Sequence, residues 1–421
     1  MIGGEAPGTE SPGGAGDAAA GDHAHRPSLV VSTVESAQAV SAGEWERLAV
    51  RRSFYLSRQW LSAVEQDTAF TSRYLLARDG TGRLVGALPV YLWKGVGGVA
   101  SAYYDTFQVF FSHLVPDARR AEWFPTLLVG SRSGYANQPL LNGALAPAAR
   151  QAVLATLLDR ALGLADELDA RSVAMLYLDR RSLDEWIGHV GDAKILLTNA
   201  DANLAVNWDS FDGYLGSLTS DHRKKARREV RTFGELAPPA SRVRFSSCYS
   251  EAARLTADLQ QRYGHGESEA QLRGFFEAQV THLDDHSQVF VCREESELRG
   301  FALFYDHEDA LYARVCGFDS PRERNDFMYF NLGYYEPIRY AAASRRRSLA
   351  LGTGSWKTKV LRGATLEPLW SVLFRPKAID RTEWPAMFPR WNQYAYRRWH
   401  QFAASLRTEL APSSWRLEPD R

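Results

Sequence analysis

The sequence predicts an α/β protein built from two similar units, and three observations lead to this fold class. The chain has 421 residues, whereas single hydrophobic cores stop growing at roughly 250–300 residues. The predicted order of elements in the first half, strand, two helices, hairpin, helix and strand, recurs in the second half. The run RLVGALPV at residues 83–90 also echoes LRGFALF at residues 298–304. We therefore interpret the chain as a duplicated unit with a boundary near residues 197–203.

The elements of the first half follow from residue patterns. The predictions are a strand over residues 29–34, helices after Ser41 and Ser57, a hairpin over residues 73–93, a helix over residues 146–168 and a strand over residues 172–178. Ser41 begins a capping-box pattern. An Asp-Gly-Thr-Gly turn between two apolar runs indicates the hairpin, and an alanine-rich stretch with helical apolar spacing indicates the long helix.

The second half repeats this order. The predictions are a strand over residues 203–208, helices within residues 210–231, a strand over residues 243–246, helices over residues 250–263 and 269–283, and a hairpin over residues 288–305. A strand over residues 311–318, a helix from Asp326, a strand over residues 348–354 and a tail helix over residues 391–410 follow. The predicted segments are a disordered tail (1–28), an N-terminal domain (29–200), a C-terminal domain (201–375) and a helical tail (376–421).

Composition excludes several classes of protein. Hydrophobic residues make up 45% and charged residues 24% of the chain, and no window approaches the ~18 apolar residues of a membrane helix. Lys and Arg total 50, as do Asp and Glu, so there is no overall charge to attract nucleic acid or an anionic membrane. The three cysteines lack zinc-site spacing and favour a reducing compartment, so we expect a cytoplasmic protein.

A basic helix is the clearest local charge feature. Six of the nine residues from Arg223 to Arg231 are basic and one is acidic. On a helix, Arg223, Arg227 and Arg231 share one face, with Lys224 and Arg228 beside it. Aligned like charges destabilise a helix unless an anion neutralises them, which favours a phosphate or polyanion contact over a solvated face.

A glycine-rich and basic segment near the end of the chain, LGTGSWKTKVLRG at residues 351–363, is the second candidate. It does not match the Walker nucleotide-binding pattern, because Trp356 stands where that pattern requires glycine. The glycines permit a tight turn and a close approach of a ligand to the backbone. Lys357, Lys359 and Arg362 would then lie near the carboxyl end of a strand, a favoured ligand position in α/β sheets, although solvated loop charges are the alternative.

Four segments of the second half resemble the Fem-type, FemAB-like branch of the GCN5-related N-acyltransferase (GNAT) superfamily, and the resemblance extends over residues 30–375. The basic helix at residues 220–231 is similar to a basic segment of the family. YARVCG at residues 312–317 resembles its Tyr-Gly-Arg-x-x-Gly strand, DFMYFNLGYY at residues 326–335 its Asp-Phe-Leu-His-Phe-Glu-x-x-Tyr-Tyr helix, and KVLRG at residues 359–363 its Lys-x-x-Arg-Gly turn.

The resemblance implies two tandem GNAT-like domains, each a mixed, mainly antiparallel sheet flanked by helices. It also implies transfer of an acyl or aminoacyl group to an amine without a metal or a tightly bound cofactor. Aminoacyl-tRNA is the favoured donor and acyl-CoA the other, because the CoA pyrophosphate signature fails at Leu88. The acceptor would be a small-molecule or cell-envelope amine, and no membrane insertion is expected.

The resemblance also suggests roles for individual residues. Arg223, Lys224, Arg227, Arg228, Lys357 and Arg314 would hold the donor or acceptor. Lys359 and Arg362 would position the carbonyl or its leaving group, Tyr335 would donate a hydrogen bond near the reacting centre, and Asn331 stands where the family has Glu. Since Asn cannot take up a proton, the general base stays open. A non-catalytic module that binds a phosphorylated glycan or nucleic acid is the alternative.

Overall fold

The computed structural model describes residues 29–99, 101–111, 117–132, 134–135, 137–262, 264, 266–319, 326–374 and 384–417. The predicted disordered tail lies outside these residues. Within them, the strands are β1 (Val30–Val34), β2 (Phe70–Arg78), β3 (Leu84–Trp93), β4 (Thr126–Val129), β5 (Leu140–Leu141), β6 (Ser172–Leu178), β7 (Lys194–Ala205), β8 (Ala240–Val243), β9 (Ser287–Glu294), β10 (Glu297–His307), β11 (Ala310–Phe318), β12 (Ser348–Gly352) and β13 (Thr365–Leu373).

The helices surround these strands along the chain. They are α1 (Ala42–Ala49), α2 (Arg58–Val64), α3 (Thr106–Phe111), α4 (Pro147–Glu167), α5 (Arg180–Trp186), α6 (Phe211–Ser217), α7 (Ser220–Leu236), α8 (Tyr249–Arg262), α9 (Glu269–Leu283), α10 (Met328–Phe330), α11 (Glu336–Ala343), α12 (Trp356–Val360), α13 (Trp384–Ser405) and α14 (Pro412–Trp415). A π-helical turn, Asn331–Tyr335, joins α10 to α11. The Ser41 side chain caps α1 by accepting from the backbone N–H of Glu44, as predicted.

All thirteen strands of the described ranges belong to one mixed sheet. The order is β1-β2-β3-β4-β6-β13-β7-β12-β11-β10-β9-β8, with β5 beside β3. Only the pairs β4–β6 and β11–β12 are parallel. The predicted fold class, a mixed and mainly antiparallel sheet flanked by helices, is confirmed.

The strand order reveals the duplication. Reading inward from either edge gives the same series, β1, β2, β3, β4 and β6 from one side and β8, β9, β10, β11 and β12 from the other. The two central strands are exchanged, because β7 follows the first series in the chain but pairs with β12, while β13 follows the second series but pairs with β6. These two strands also pair with each other, and the exchange joins both halves into one sheet.

Apolar side chains bury both faces of the sheet. Along β2, Tyr74 and Leu76 contribute to one core while Leu75 and Ala77 contribute to the other, as the two-residue period of a strand requires. Helices α1, α2, α8 and α9 cover the first face, and α4, α6, α7 and α11 cover the second. Because both faces are covered, polar side chains inside the sheet stand out as candidates for function.

Several predicted boundaries differ from the structure. β7 begins at Lys194 and ends at Ala205, because it pairs along its length with β13, so the predicted domain boundary at residues 200–201 falls inside one strand and stays a prediction. The strand predicted over residues 243–246 ends at Val243. The predicted helix from Asp326 is interrupted by the π-helical turn. The tail helix α13 contacts β7, where the Trp391 indole donates to the carbonyl oxygen of Leu197.

Candidate functional site

A gap in the sheet opens where β11 and β12 separate. These parallel strands pair only over three residues each, Ala310–Tyr312 with Ser348–Ala350. Beyond this point β11 continues along β10 while β12 continues along β7. The strands therefore part, and their backbone beyond Tyr312 and Ala350 borders an opening in an otherwise continuous sheet.

A β-bulge in β11 adjoins this gap. Leu303 pairs with Val315 and Phe304 pairs with Ala313, which leaves Arg314 as an extra residue without a cross-strand partner. A bulge bends the strand and removes its extra residue from the hydrogen-bonding ladder. The Arg314 guanidinium lies 4.9 Å from the centre of the Trp60 ring. The predicted donor-binding Arg314 is thus at the gap, where its backbone is not used by β10.

Two cavities meet at this gap from opposite faces of the sheet. The larger is a cleft of about 820 Å³ and the smaller has a volume of about 200 Å³. Ala350 and Gly352 line the larger cavity, whereas Leu351 and Thr353 line the smaller. Because successive residues of a strand point to opposite faces, the end of β12 separates the two cavities. A donor and an acceptor could approach one another here from either side.

Lys359 lies in the wall of the smaller cavity. Its ammonium donates to the carbonyl oxygens of Leu351, Gly352 and Thr353 at 2.7, 2.8 and 2.8 Å, so all three of its protons are used. Burial lowers its pKa to about 8, although the Asp201 carboxylate opposes this shift. Lys359 therefore holds the end of β12 in place and puts a positive charge beside the gap.

Three other predicted site residues surround one buried carboxylate. Glu229 of α7 is fully buried, and one of its oxygens accepts from Arg362 Nη2 at 2.6 Å and from the Tyr335 hydroxyl. The Asn331 amide donates to the backbone oxygens of Glu229 and Phe327. Burial raises the pKa of Tyr335 above its ordinary value. The structure thus joins Arg362, Tyr335 and Asn331 in a network that holds the π-helical turn against α7.

This network faces inward. The Arg362 guanidinium lies 3.9 Å from the centre of the Phe330 ring and is 3% exposed. The Asn331 amide, the Tyr335 hydroxyl and both terminal nitrogens of Arg362 donate to groups within the protein, and a direct chemical role for each residue stays a prediction. The sequence analysis missed Glu229, although a single acid within a run of six basic residues was the signal that could have found it.

The larger cleft contains a carboxylate that the sequence analysis also missed. Asp201 on β7 is 8% exposed, its Oδ2 accepts from the Asn203 amide at 3.3 Å, and its Oδ1 has no hydrogen-bond partner among the described residues. Glu367 on β13 is its cross-strand partner. Burial raises the pKa of Asp201 to about 6, while nearby Lys359 acts in the opposite direction. Such a carboxylate can take up a proton near neutral pH.

The corresponding gap of the N-terminal half is filled. There β4 and β6 also pair over only three residues, Thr126–Leu128 with Ser172–Ala174. The Asn137 side chain bridges the strands beyond, because its Nδ2 donates to the carbonyl oxygens of Val129 and Leu176 at 3.2 and 3.3 Å. An amide side chain thus occupies the N-terminal gap, whereas the gap of the C-terminal half has a cavity on each face.

The basic helix α7 packs against the π-helical turn, and Gly333 and Tyr334 of that turn line the smaller cavity. Its exposed basic side chains include Lys224, Arg227 and Arg228, and Arg228 lies 5.8 Å from the centre of the Phe327 ring at the start of the π-helical turn. Arg223 is only half-exposed and donates to the carbonyl oxygens of Gly216 and Leu218 at the end of α6. Lys357 is exposed on α12. Several predicted phosphate-binding residues thus remain open to solvent near the cavity.

The described residues contain neither a candidate metal site nor a membrane-spanning helix. No group of three or more His, Cys, Asp or Glu side chains there is arranged to hold a metal ion. No helix in the same ranges is long and apolar enough to cross a membrane.

A family model matches most of the chain, and several solved structures are similar to it. The model of the FemAB-like family, described as peptidoglycan biosynthesis/recognition, matches residues 36–400. A crystal structure of FemX is 11% identical and covers 82% of this chain and 98% of its own, with a TM-score of 0.55. A protein of unknown function from Bacteroides thetaiotaomicron is 12% identical and covers 82% and 100%, with a TM-score of 0.50. A tandem GNAT protein from the clavulanic acid biosynthesis pathway is 12% identical and covers 82% and 98%, with a TM-score of 0.46. No curated protein sequence matches.

Proposed function

The chain belongs to the FemAB-like family, and from this premise we propose that it is an N-acyltransferase. It moves an acyl or aminoacyl group from a carrier to the amine of a small-molecule or cell-envelope acceptor. The observation that carries the proposal is the gap between β11 and β12, which has a cavity on each face and a buried carboxylate in the larger one. A carbonyl from one side and an amine from the other could meet there.

The donor would enter the smaller cavity. Its activated carbonyl would lie at the bulge, where the backbone N–H of Arg314 is outside the ladder and can donate to the developing oxyanion. The buried charge of Lys359 would stabilise the same oxyanion through space, since its protons are already used. The π-helical turn forms part of the wall of the smaller cavity, and its position would be fixed by Asn331, Tyr335 and Arg362.

The acceptor amine would occupy the larger cleft near Asp201. An ammonium group has no lone pair and must lose a proton before it attacks, and the Asp201 carboxylate is available to take that proton. The new bond joins the amine nitrogen to the carbonyl carbon. The bond from that carbon to the carrier oxygen or sulfur then breaks, and the carrier leaves with a proton.

The exposed residues of α7 support a carrier rich in phosphates. Lys224, Arg227 and Arg228 are exposed, Arg228 lies near Phe327 at the start of the π-helical turn, and α7 does not line the larger cleft, so a bulky carrier could bind outside that cleft. Aminoacyl-tRNA is the favoured carrier and acyl-CoA the second candidate. The same basic face also supports the alternative, a non-catalytic module that binds a phosphorylated glycan or nucleic acid.

The decisive experiment is a transfer assay on the whole protein. Labelled aminoacyl-tRNA or acyl-CoA is incubated with candidate amines, and the acceptor is examined by mass spectrometry for the added acyl mass. We expect transfer that Asp201→Asn reduces and that the exposed control Asp192→Asn preserves. Salt-sensitive binding of the carrier without any modified acceptor would instead support the binding module.

A further inference from the structure

The larger cleft contains two groups of opposite charge that the protein leaves free. Arg51 and Arg52 line one part of it, and Asp201 and Glu367 line another. Asp179 also lines the cleft, and its charge interacts with Arg52 in one part and with Glu367 in the other. Burial lowers the pKa of Arg52, and Asp179 is among its charged neighbours. Glu367 is exposed at the other part of the cleft, and Asp179 is also a charged neighbour of its carboxylate. The cleft therefore runs from guanidinium groups, past Asp179, to a pair of carboxylates next to the gap.

The guanidinium end is open to a ligand. Neither Arg51 nor Arg52 forms an ion pair with another side chain in the part of the chain that the structure describes, and Arg52 is half-buried. The nearby acids are already engaged. Glu185 pairs with Arg150, and Asp179 accepts from the backbone N–H of Ser182 and the amide of Gln138. Of the two further acids in the lining, Glu308 accepts from the backbone N–H of Arg51 and Asp309 pairs with Arg347. A half-buried guanidinium without a partner is a site for an oxyanion.

The carboxylate end is open in the same way. Asp201 lines the cleft and is more than nine-tenths buried, and its Oδ1 accepts no hydrogen bond from the described residues. Glu367 lies directly opposite on the neighbouring strand. Two carboxylates at cross-strand positions repel each other unless a cation lies between them. A donor with several N–H groups, such as an ammonium, satisfies both oxygens and charges.

We propose that the acceptor is an amphoteric molecule, with its reacting amine at Asp201 and Glu367 and an anionic group at Arg51 and Arg52. This inference rests on the proposed N-acyltransferase function and names the acceptor class for the same cleft. A simple amine would leave the half-buried Arg52 unpaired, and a simple anion would approach the carboxylate pair. Only a molecule with both charges complements the two ends.

Binding without any donor tests this inference separately from transfer. The probes are ω-aminoalkanoates from β-alanine to 8-aminooctanoate, with hexylamine and hexanoate as single-charge controls and 6-aminohexyl phosphate to distinguish a phosphate from a carboxylate. Isothermal titration calorimetry at low salt measures each affinity. The variants are Arg52→Gln, Arg51→Gln, Glu367→Gln and the control Arg83→Gln on the exposed β2–β3 turn, each checked by thermal melting.

We expect one chain length to bind more tightly than either single-charge probe. Arg52→Gln should weaken that amphoteric probe about tenfold, the loss of one charge-assisted hydrogen bond, and leave hexylamine unchanged. Glu367→Gln should weaken the binding of both the amphoteric probe and hexylamine, and Arg83→Gln should weaken the binding of neither. Arg51→Gln repeats the test if Arg52→Gln melts early.

Three results would overturn the inference: no binding by any amphoteric probe, hexylamine binding as tightly as the best of them, or equal effects of the arginine variants on both kinds of probe. Transfer to a singly charged amine would then retain the proposed function while removing this acceptor class. Conversely, amphoteric binding without transfer from any carrier would retain the binding site and remove the enzyme.

Discussion

Replacement of Asp201 by Asn should stabilise the fold and remove activity together. Burial raises the pKa of this carboxyl from its ordinary 3.8 to about 6. At about 1.4 kcal/mol for each pH unit, this difference corresponds to roughly 3 kcal/mol. The folded protein holds the proton more tightly than the unfolded chain does, so the free energy of unfolding falls as the pH rises from 3.8 through about 6.

The amide of the Asp201→Asn variant would stay neutral at every pH, so the variant would not show this fall. Near pH 4 the variant and the parent should therefore be about equally stable, whereas near pH 8 the variant should be more stable by up to roughly 3 kcal/mol. The lost attraction to Lys359 reduces this gain, since the Asp201 carboxylate raises the pKa of that amine. The new amide oxygen can still accept from Asn203, so the local hydrogen bond is kept.

Urea unfolding measured by tryptophan fluorescence at a series of pH values tests the stability effect. Asp192→Asn, an exposed residue, is the matched control and should not change the pH dependence. In the transfer assay, kcat/KM of the parent should fall below about pH 6, and Asp201→Asn should lower it about 10²- to 10⁴-fold. If the stability difference between the variant and the parent does not grow with pH, Asp201 does not have a raised pKa. If Asp201→Asn transfers the acyl group as fast as the parent, Asp201 is not the base.

Three further variants test the surroundings of the site. Arg362→Met should destabilise the fold by about 3–5 kcal/mol in urea because it leaves the Glu229 carboxylate buried without its cation, whereas exposed Lys357→Ala should change stability by less than about 0.5 kcal/mol. Arg228→Ala should weaken tRNA binding and reduce the slope of log affinity against log salt by about 0.7–0.9 if it contacts one phosphate. Asn137→Ala should lower the free energy of unfolding by about 1–3 kcal/mol, because it leaves two carbonyl oxygens without a donor. It should leave transfer unchanged, and a change in transfer would mean that the N-terminal gap takes part in the chemistry.

The fold was largely predictable because local patterns agree with it. The capping box at Ser41, the turn at residues 79–82 and the alanine-rich α4 each indicate one element, and the repeated order of elements predicted the duplication. The exchange of β7 and β13 was not predictable, because which strand lies beside which depends on packing between distant segments. β7 was also predicted too short, since its polar residues interrupt the apolar pattern.

The candidate site was predictable only in part, because burial and hydrogen-bond partners depend on distant segments of the chain. The resemblance to the family's motifs pointed to Lys359, Arg362 and Tyr335 but could not show that these side chains form hydrogen bonds inside the protein. Asp201 lies in no motif, and its significance depends on burial and on an unpartnered oxygen, which a single sequence does not display. The search for an acid or base within the matched motifs therefore found Asn331, whereas the structure places a carboxylate on a strand from outside them.

The exchanged strands explain why a duplicated fold supports one site. Asp201 belongs to β7, which follows the first unit in the chain, yet it lies across from Glu367 of the second and near Lys359. Neither unit alone would supply both the gap and its carboxylates. Asn137 fills the first gap while the second stays open. The first unit therefore contributes β7 and part of the cleft lining, and the second unit contains the open gap. The division of roles thus resides in strand exchange and one amide side chain, and it predicts that a C-terminal half that begins after β7 would lack Asp201 while it keeps Glu367.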